Sequence, residues 1–286
     1  MPRLFCFGLG YSALALAQRL GPRGFAIAGT VRTADKAERL RAQGIEVHLF
    51  DRGQPLADPE AALAGTTHLL SSVPPDEAGD AVVDHHGDLL ARHSGLLWAG
   101  YLSTTGVYGD RGGDWIDEGA AIAPTGARGQ RRAAAEAAWS ALGLPLHIFR
   151  LAGIYGPGRN AIAQLRAGRA QAVVKPGQVF SRIHVEDIAA VLEASIARPR
   201  PGTAYNVCDD EPAPPWEVIE YAADLAGLPR PPRIAFEAAE MSAMARSFWA
   251  ESKRVSNRRL HEELGVTLAY PSYREGLRAL LTGGGA

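Results

Sequence analysis

Lysine is nearly absent from this chain of 286 residues: it occurs only at positions 36, 175 and 253, and none of these lies four residues after a tyrosine. The sequence therefore contains no Tyr-x-x-x-Lys pair. Cysteine is scarcer still. Cys6 and Cys208 stand far apart, without Cys-x-x-Cys or metal-ligand spacing, and read as small buried apolar residues in a reducing compartment. No apolar run reaches the ~18 residues of a membrane helix. The opening MPRLFCFGLGYSALALAQRL has the basic residue and apolar run of a signal peptide. Gly8 and Gly10 interrupt that run, and another strand-like segment follows directly. A net charge of −1 and a pI near 6.7 leave no broad footprint for nucleic acid or an anionic membrane. The expectation is a soluble, cytoplasmic chain that acts on a small molecule.

What is present is an ordinary globular composition, 47% hydrophobic and 21% charged, enough for one large domain or a main domain with an annex. Apolar runs at 3–8, 25–31, 45–50, 67–72, 96–103 and 146–153 predict strands. They lack strict alternation, as suits strands buried on both faces. Helical segments separate them, several stopping at a glycine such as Gly21, Gly44 or Gly143, where a left-handed cap is expected. This alternation predicts an α/β, Rossmann-like, doubly wound parallel sheet. After Gly153 the texture changes to a short helix at 160–168, a strand near 178–184, an amphipathic helix from Val185, and helical pieces at 215–226, 237–250 and 271–281. The Gly-rich end is expected to fray. The dinucleotide-binding domain is assigned to 1–155 plus roughly 178–207, and a smaller substrate domain to 156–177 plus roughly 208–286.

Gly8-x-Gly10-x-x-Ala13 falls between the first strand and the first helix. The first glycine permits the turn, the second lets a pyrophosphate approach the helix start at Tyr11 and Ser12, and a small third residue allows helix–strand packing. An NAD site would carry an acid at the end of the second strand, but Arg32 and Thr33 stand there, with no acid before Asp35. An arginine there suits a 2′-phosphate, so NADP is favoured and NAD remains possible. Asp51 is placed either to accept from the adenine amine or simply to form a turn. Ser71, Ser72, Val73 and Pro74 end the fourth strand, where the chain runs along a cofactor. Asp84-His85-His86-x-Asp88 has metal-binding residue types, but adjacent histidines diverge on a helix, so no metal is expected.

LSTTGVYGD, FRLAGIYGPGRN, RIHVEDIA, YNVCDD and SKRVSNRRLHEELG, in this order, resemble the motifs of the extended short-chain dehydrogenases/reductases. This family includes the NAD-dependent epimerases and dehydratases of nucleotide sugars. The resemblance implies a Rossmann-like core, a small C-terminal substrate domain and a homodimer built on two core helices. It aligns Thr104 with the Ser/Thr that bonds the reacting oxygen; Ala152 and Gly153 are further candidates for the cofactor, and Tyr155, Arg159 and His184 for the substrate.

The family's Tyr transfers a proton at the substrate hydroxyl, while its Lys lowers the Tyr pKa and holds the nicotinamide ribose. Here the Lys position is Arg132 and the Tyr position is Arg128. Arg132 can keep the ribose-binding role, but an arginine does not shed its proton. Arg128 is read either as an anion-binding residue or as part of a solvated basic face, with Arg132–Glu136 a weak exposed pair. Tyr108, in the Val-Tyr-Gly turn, Tyr101 and Tyr155 are each read either as a substitute acid or as packing of a turn or strand edge, and Tyr108 is the candidate carried forward as catalytic. His184 and Asp187 are expected to anchor and cap the following helix. Two readings stay open: an NADP-dependent enzyme with an altered site, and a dinucleotide sensor without turnover.

Overall fold

The computed structural model describes residues 1–283; the last three residues of the Gly-rich end, 284–286, lie outside the described residues. The chain begins β1 (Arg3–Phe7), α1 (Tyr11–Leu20), β2 (Ala26–Val31), α2 (Ala34–Arg41), β3 (Glu46–Leu49), α3 (Pro59–Leu63), β4 (His68–Ser71) and α4 (Ala81–Ala91). It continues with β5 (Trp98–Thr104), β6 (Trp115–Ile116), α5 (Ala127–Ser140), β7 (Leu146–Leu151), β8 (Gly153–Tyr155), α6 (Ala161–Arg166), β9 (Ala172–Val174) and β10 (Arg182–His184). There follow α7 (Val185–Ala197), β11 (Thr203–Val207), α8 (Pro215–Ala226), β12 (Arg233–Ala235), α9 (Ala243–Phe248), β13 (Arg254–Val255), α10 (Arg258–Leu264) and α11 (Tyr273–Thr282).

These elements form two compact units: 1–104 with 130–150 and 188–205, and 105–129 with 151–187 and 206–286. Residues 105–129, 151–155 and 178–187, which the sequence alone assigns to the Rossmann domain, fall in the second unit. For the last two stretches the reason is the parallel pairing of β8 with β10, from Gly153–Arg182 to Tyr155–His184.

The first unit is built on a seven-stranded parallel sheet in the order β11-β7-β5-β4-β1-β2-β3. Phe5 of β1 sits in register between Ala28 of β2 and Leu69 of β4. Chain order runs one way from β1 to β3 and the other way from β4 to β11. The carboxyl ends of β1 and β4 therefore flank the switch point at which open α/β sheets bind ligands. One face packs α4 and α5: Val82, Leu90, Ala135 and Trp139 are buried against Phe5, Phe7, Leu69 and Tyr101. Tyr101 stacks on Trp139 with ring centres 5.8 Å apart. Each large apolar side chain so buried contributes about 1.5–3 kcal/mol. On the opposite face the Trp98 Nε1 donates to Ser195 of α7 at 3.0 Å. Asp80 caps α4, accepting from the Val82 and Val83 amides at 3.0 and 3.2 Å, and its other oxygen accepts from Trp139 Nε1 at 3.1 Å.

The second unit is held by short parallel strand pairs, β8–β10, β9–β12 and β6–β13. Tyr155, Ile162, Ala222, Tyr273 and Leu277 form one of its cores. Its helical stretch expected over 237–250 is split into a 3-10 turn at Phe236–Ala238 and α9, and the strand expected near 178–184 is only β10. Gly21 is right-handed at φ −52°, opening a 3-10 turn whose Pro22 fixes the backbone, and the left-handed stop falls at Gly24, φ +87°. No helix among the described residues is long and apolar enough to cross a membrane.

Gly129 lies in the first turn of α5, hard against the turn that follows β5. A Cβ there would sit 2.6 Å from the Gly106 carbonyl oxygen and 2.9 Å from Pro124 Cβ. Helix propensity favours Gly→Ala by up to about 1 kcal/mol, but a backbone oxygen cannot yield to a methyl group. Gly129→Ala is expected to destabilise the chain by about 1–3 kcal/mol. Urea unfolding measures this; a stabilised variant contradicts the packing.

Candidate functional site

At the switch point the turn from β1 to α1 is tight. Gly8 has φ +84°, a left-handed conformation that favours glycine. Its N–H donates to Thr30 Oγ1 at 2.8 Å, and its carbonyl accepts from Ser72 Oγ at 2.5 Å and from the Gly10 amide at 2.7 Å. A Cβ on Gly8 would lie 2.9 Å from Ser72 Oγ and 3.3 Å from Val73 Cγ2. No side chain caps α1 at Gly10, and Tyr11 and Ser12 open its first turn. Ala13 is buried completely, as the packing role of a small third residue requires. Ser71, at the carboxyl end of β4, has a buried hydroxyl without a hydrogen-bond partner. Gly8, Gly10, Ser72 and Val73 are thus brought together, and the cradle fits a pyrophosphate.

Arg32 and Thr33 follow β2 and are exposed, as is Pro74 beyond β4. Lys36, on α2, is held below the ordinary lysine range by partial burial and then by the guanidinium groups of Arg39 and Arg32. Asp51 forms a turn, its Oδ1 accepting the Gly53 amide at 2.8 Å. Of the residues with metal-binding types, Asp84 pairs with Arg52 at 2.8 Å, His85 Nε2 meets the Arg52 carbonyl at 2.9 Å, and His86 stacks on Phe7. Both thiols are buried, and burial pushes Cys6 up to about 12.

Thr104 closes β5, and the side chain before it belongs to a buried network. Ser103 Oγ donates to Glu136 Oε1 at 2.5 Å, and Arg150 donates to the same carboxylate from Nε at 3.2 Å and Nη2 at 2.9 Å. Both Glu136 and Arg150 side chains are buried. This corrects the weak exposed Arg132–Glu136 pair: Glu136 turns inward to Arg150, and Arg132 turns to the strand. Arg132 Nη1 donates to the Leu102 carbonyl and lies 3.3 Å from the Tyr101 hydroxyl. Tyr101 is itself buried, and burial raises its pKa.

In the second unit, Tyr108 is fully buried and donates to Asn206 Oδ1 at 2.7 Å. The Asn206 amide in turn donates to Glu118 at 2.8 Å. The Arg128 guanidinium lies 4.3 Å from the centre of the Phe248 ring, which gives this cation an aromatic neighbour. Ala152 is buried and donates to the Val207 carbonyl at 3.1 Å, whereas Gly153 and Arg159 are exposed. Tyr155 donates to the Ser272 carbonyl at 3.3 Å, and burial raises its pKa. Its ring meets that of His184 at 5.1 Å. Burial lowers His184 to about 4, and its Nδ1 accepts the Glu186 amide at 3.2 Å, which caps the start of α7. Asp187 does not cap that helix through these bonds: its carboxylate accepts the amides of Ala269 and Tyr270 at 2.8 and 3.0 Å.

Asp209 is a buried group the sequence does not single out. Neither carboxylate oxygen meets a donor in hydrogen-bonding geometry. Burial raises it to about 8, against the opposing Arg182 guanidinium and the nearby Arg182 and Glu211 amides.

Two outcomes follow from these buried groups. Glu136→Gln removes the charge opposite Arg150 while keeping an acceptor for Ser103, and is expected to cost about 3–5 kcal/mol in chemical unfolding. A loss under 1 kcal/mol, the scale of an exposed pair, contradicts the network. Folded Asp209 keeps a proton that the unfolded chain releases above the ordinary carboxylate range. Its contribution to stability therefore falls as pH rises from about 4 to about 8. Asp209→Asn is expected to flatten that slope in melting curves taken across this window, and an unchanged slope contradicts a proton on Asp209.

No known protein-family profile matches the chain. It is 28% identical to Protein YeeZ of Escherichia coli K12 over 284 residues, 95% of this chain and 97% of that protein. A functionally unknown conserved protein from Silicibacter pomeroyi matches over 100% of both chains, with TM-score 0.91 and 52% identity. An NAD-dependent epimerase/dehydratase by provisional assignment, from Methylobacillus flagellatus, has TM-score 0.73 and 26% identity over 99% of this chain and 98% of its own. UDP-glucuronic acid 4-epimerase from Bacillus cereus, solved in complex with NAD, shares the fold at TM-score 0.77 and 16% identity, over 99% and 98% of the two chains. The chain belongs to the family of the Silicibacter pomeroyi protein, and this family has the extended short-chain dehydrogenase/reductase fold of the NAD-dependent epimerases/dehydratases.

Proposed function

We propose that this protein binds NADP(H) at the carboxyl ends of β1 and β4 and acts on a small hydroxy or carbonyl compound or a nucleotide-linked sugar, through an altered epimerase/dehydratase-like site. The observation that carries this reading is the Gly8 cradle, where a Cβ would displace Ser72, beside an uncapped helix start and the orphaned Ser71 hydroxyl. The NAD bound by the Bacillus cereus epimerase supports a nicotinamide dinucleotide as the cofactor class. Preference for the 2′-phosphate rests on Arg32, with Lys36 and Arg39 near it. Among the described residues no carboxylate pairs with any of these three cations, a self-repelling set that an anion relieves.

When bound, the nicotinamide supplies or accepts hydride. Thr104 offers its hydroxyl to the reacting oxygen. Arg132, held to β5 through Nη1, keeps Nε and Nη2 for ribose or phosphate oxygens. Asp51 flanks the adenine, while Ala152 and Gly153 line the nicotinamide side. Arg128, Tyr155, Arg159 and His184 serve the substrate side, Arg128 and Arg159 as exposed cations and the two buried rings as support. Tyr108 we assign to support as well, since its hydroxyl is spent on Asn206 inside the unit. One observation favours the second reading, a dinucleotide sensor: Arg128 cannot release a proton, and Tyr101, Tyr108 and Tyr155 are all buried.

Calorimetric titration with NADPH and NADH tests the cofactor. NADPH is expected to bind more tightly, and Arg32→Ala to weaken NADPH by about ten- to a hundredfold with little change for NADH. Equal affinities, or an indifferent variant, overturn the NADP assignment. Turnover of NADPH against a panel of sugars and small carbonyls, lost in Thr104→Ala, supports the enzyme. Binding without turnover supports the sensor.

A further inference from the structure

Arg52 follows Asp51 in the turn after β3, and its contacts reach far along the chain. Its Nε donates to Asp76 Oδ2 at 2.5 Å and its Nη1 to Asp84 Oδ2 at 2.8 Å, while its carbonyl meets His85 Nε2 at 2.9 Å. Three segments of the first unit are joined in this way: the turn 51–54, the strap 72–80 and the first turn of α4. The turn is itself closed, Asp51 and Gln54 exchanging backbone hydrogen bonds at 3.0 and 3.2 Å. Asp76 is fixed from its other side, accepting from the Ala78 amide at 2.9 Å and donating its own amide to the Gly79 carbonyl at 2.9 Å. The strap is anchored at its start as well, where Ser72 Oγ donates to the Gly8 carbonyl. It therefore hangs between the glycine loop and Arg52.

We infer that Arg52 is a positioning residue for the adenosine half of the dinucleotide, an inference that rests on the cofactor reading above. In this role Arg52 acts through the two segments it joins. It holds the Asp51 turn and the Ser72–Asp76 strap at a fixed separation, so that the slot between them is formed before the ligand arrives. A planar guanidinium suits this task because it meets two carboxylates in a fixed geometry, which a single ammonium does not reproduce. Pre-forming a slot spares the ligand the cost of ordering two loops. Partly exposed ion pairs add little to global stability, so loss of Arg52 should be felt in binding and not in folding.

The test compares NADPH with its two halves, adenosine 2′,5′-bisphosphate and reduced nicotinamide mononucleotide, on the full chain by calorimetric or competition titration. Arg52→Ala is expected to weaken NADPH and the bisphosphate by about tenfold, leave the mononucleotide unchanged, and keep the melting temperature. Arg52→Lys should recover part of the loss, and Asp76→Asn should reproduce it in a chain that retains Arg52. Unchanged affinity for the bisphosphate in Arg52→Ala and Asp76→Asn overturns the inference, as does an equal loss for both halves. Failure of the unaltered chain to bind NADPH is a different result: it removes the cofactor reading itself and this inference with it.

Discussion

The hydrogen bond from Ser72 to the Gly8 carbonyl joins the first βα turn to the end of β4, and the rest of the crevice is arranged around it. Because the sheet reverses its order at β1, these two strand ends are neighbours 64 residues apart in sequence. The bond requires glycine at position 8 twice, once for a backbone at φ +84° and once because a methyl group would occupy the hydroxyl's place. The glycine turn after β1 and the strap after β4 are thus joined, and Arg52 meets the far end of the strap at Asp76.

A second constraint lies at β5. The carboxylate of Glu136 gathers Ser103 and Arg150 beneath the end of β5, fixing α5 against the strand that carries Thr104. Beside it the Arg132 guanidinium bonds the strand backbone at Leu102. At position 128 the guanidinium rests on Phe248. An arginine at position 128 is therefore accommodated while the turn between β1 and β4 stays intact. An altered reaction and a sensor are both compatible with the same fold for this reason.

The strands of the parallel sheet were legible because each is a short apolar run buried on both faces, and β1, β2 and β4 match those runs to within two residues. Apart from β10, the strands of the second unit were not. β9, β12, β6 and β13 are two or three residues long, and their pairing is set by segments far away, as when Val173 meets Ile234. Periodicity carries no signal over such lengths. At the candidate site, Gly8, Gly10 and Ala13 were readable from spacing alone. Glu136 was misread because four-residue spacing on a helix pairs it with Arg132, while the deciding partner, Arg150, lies on the next strand. Arg52 was missed because its partner Asp76 is 24 residues downstream and only the folded sheet brings them together. Asp209 was missed because nothing local announces that a carboxylate will be buried without a donor.

Hydrogen–deuterium exchange of the whole chain, with and without saturating NADPH, shows whether the ends of β1 and β4 form a dinucleotide site. Slowed exchange is expected for the backbone amides at 8–14 and at Ser72, Val73 and Asp76, with a smaller effect at 32–36. Protection confined to other segments, or no protection at the glycine loop, would contradict such a site.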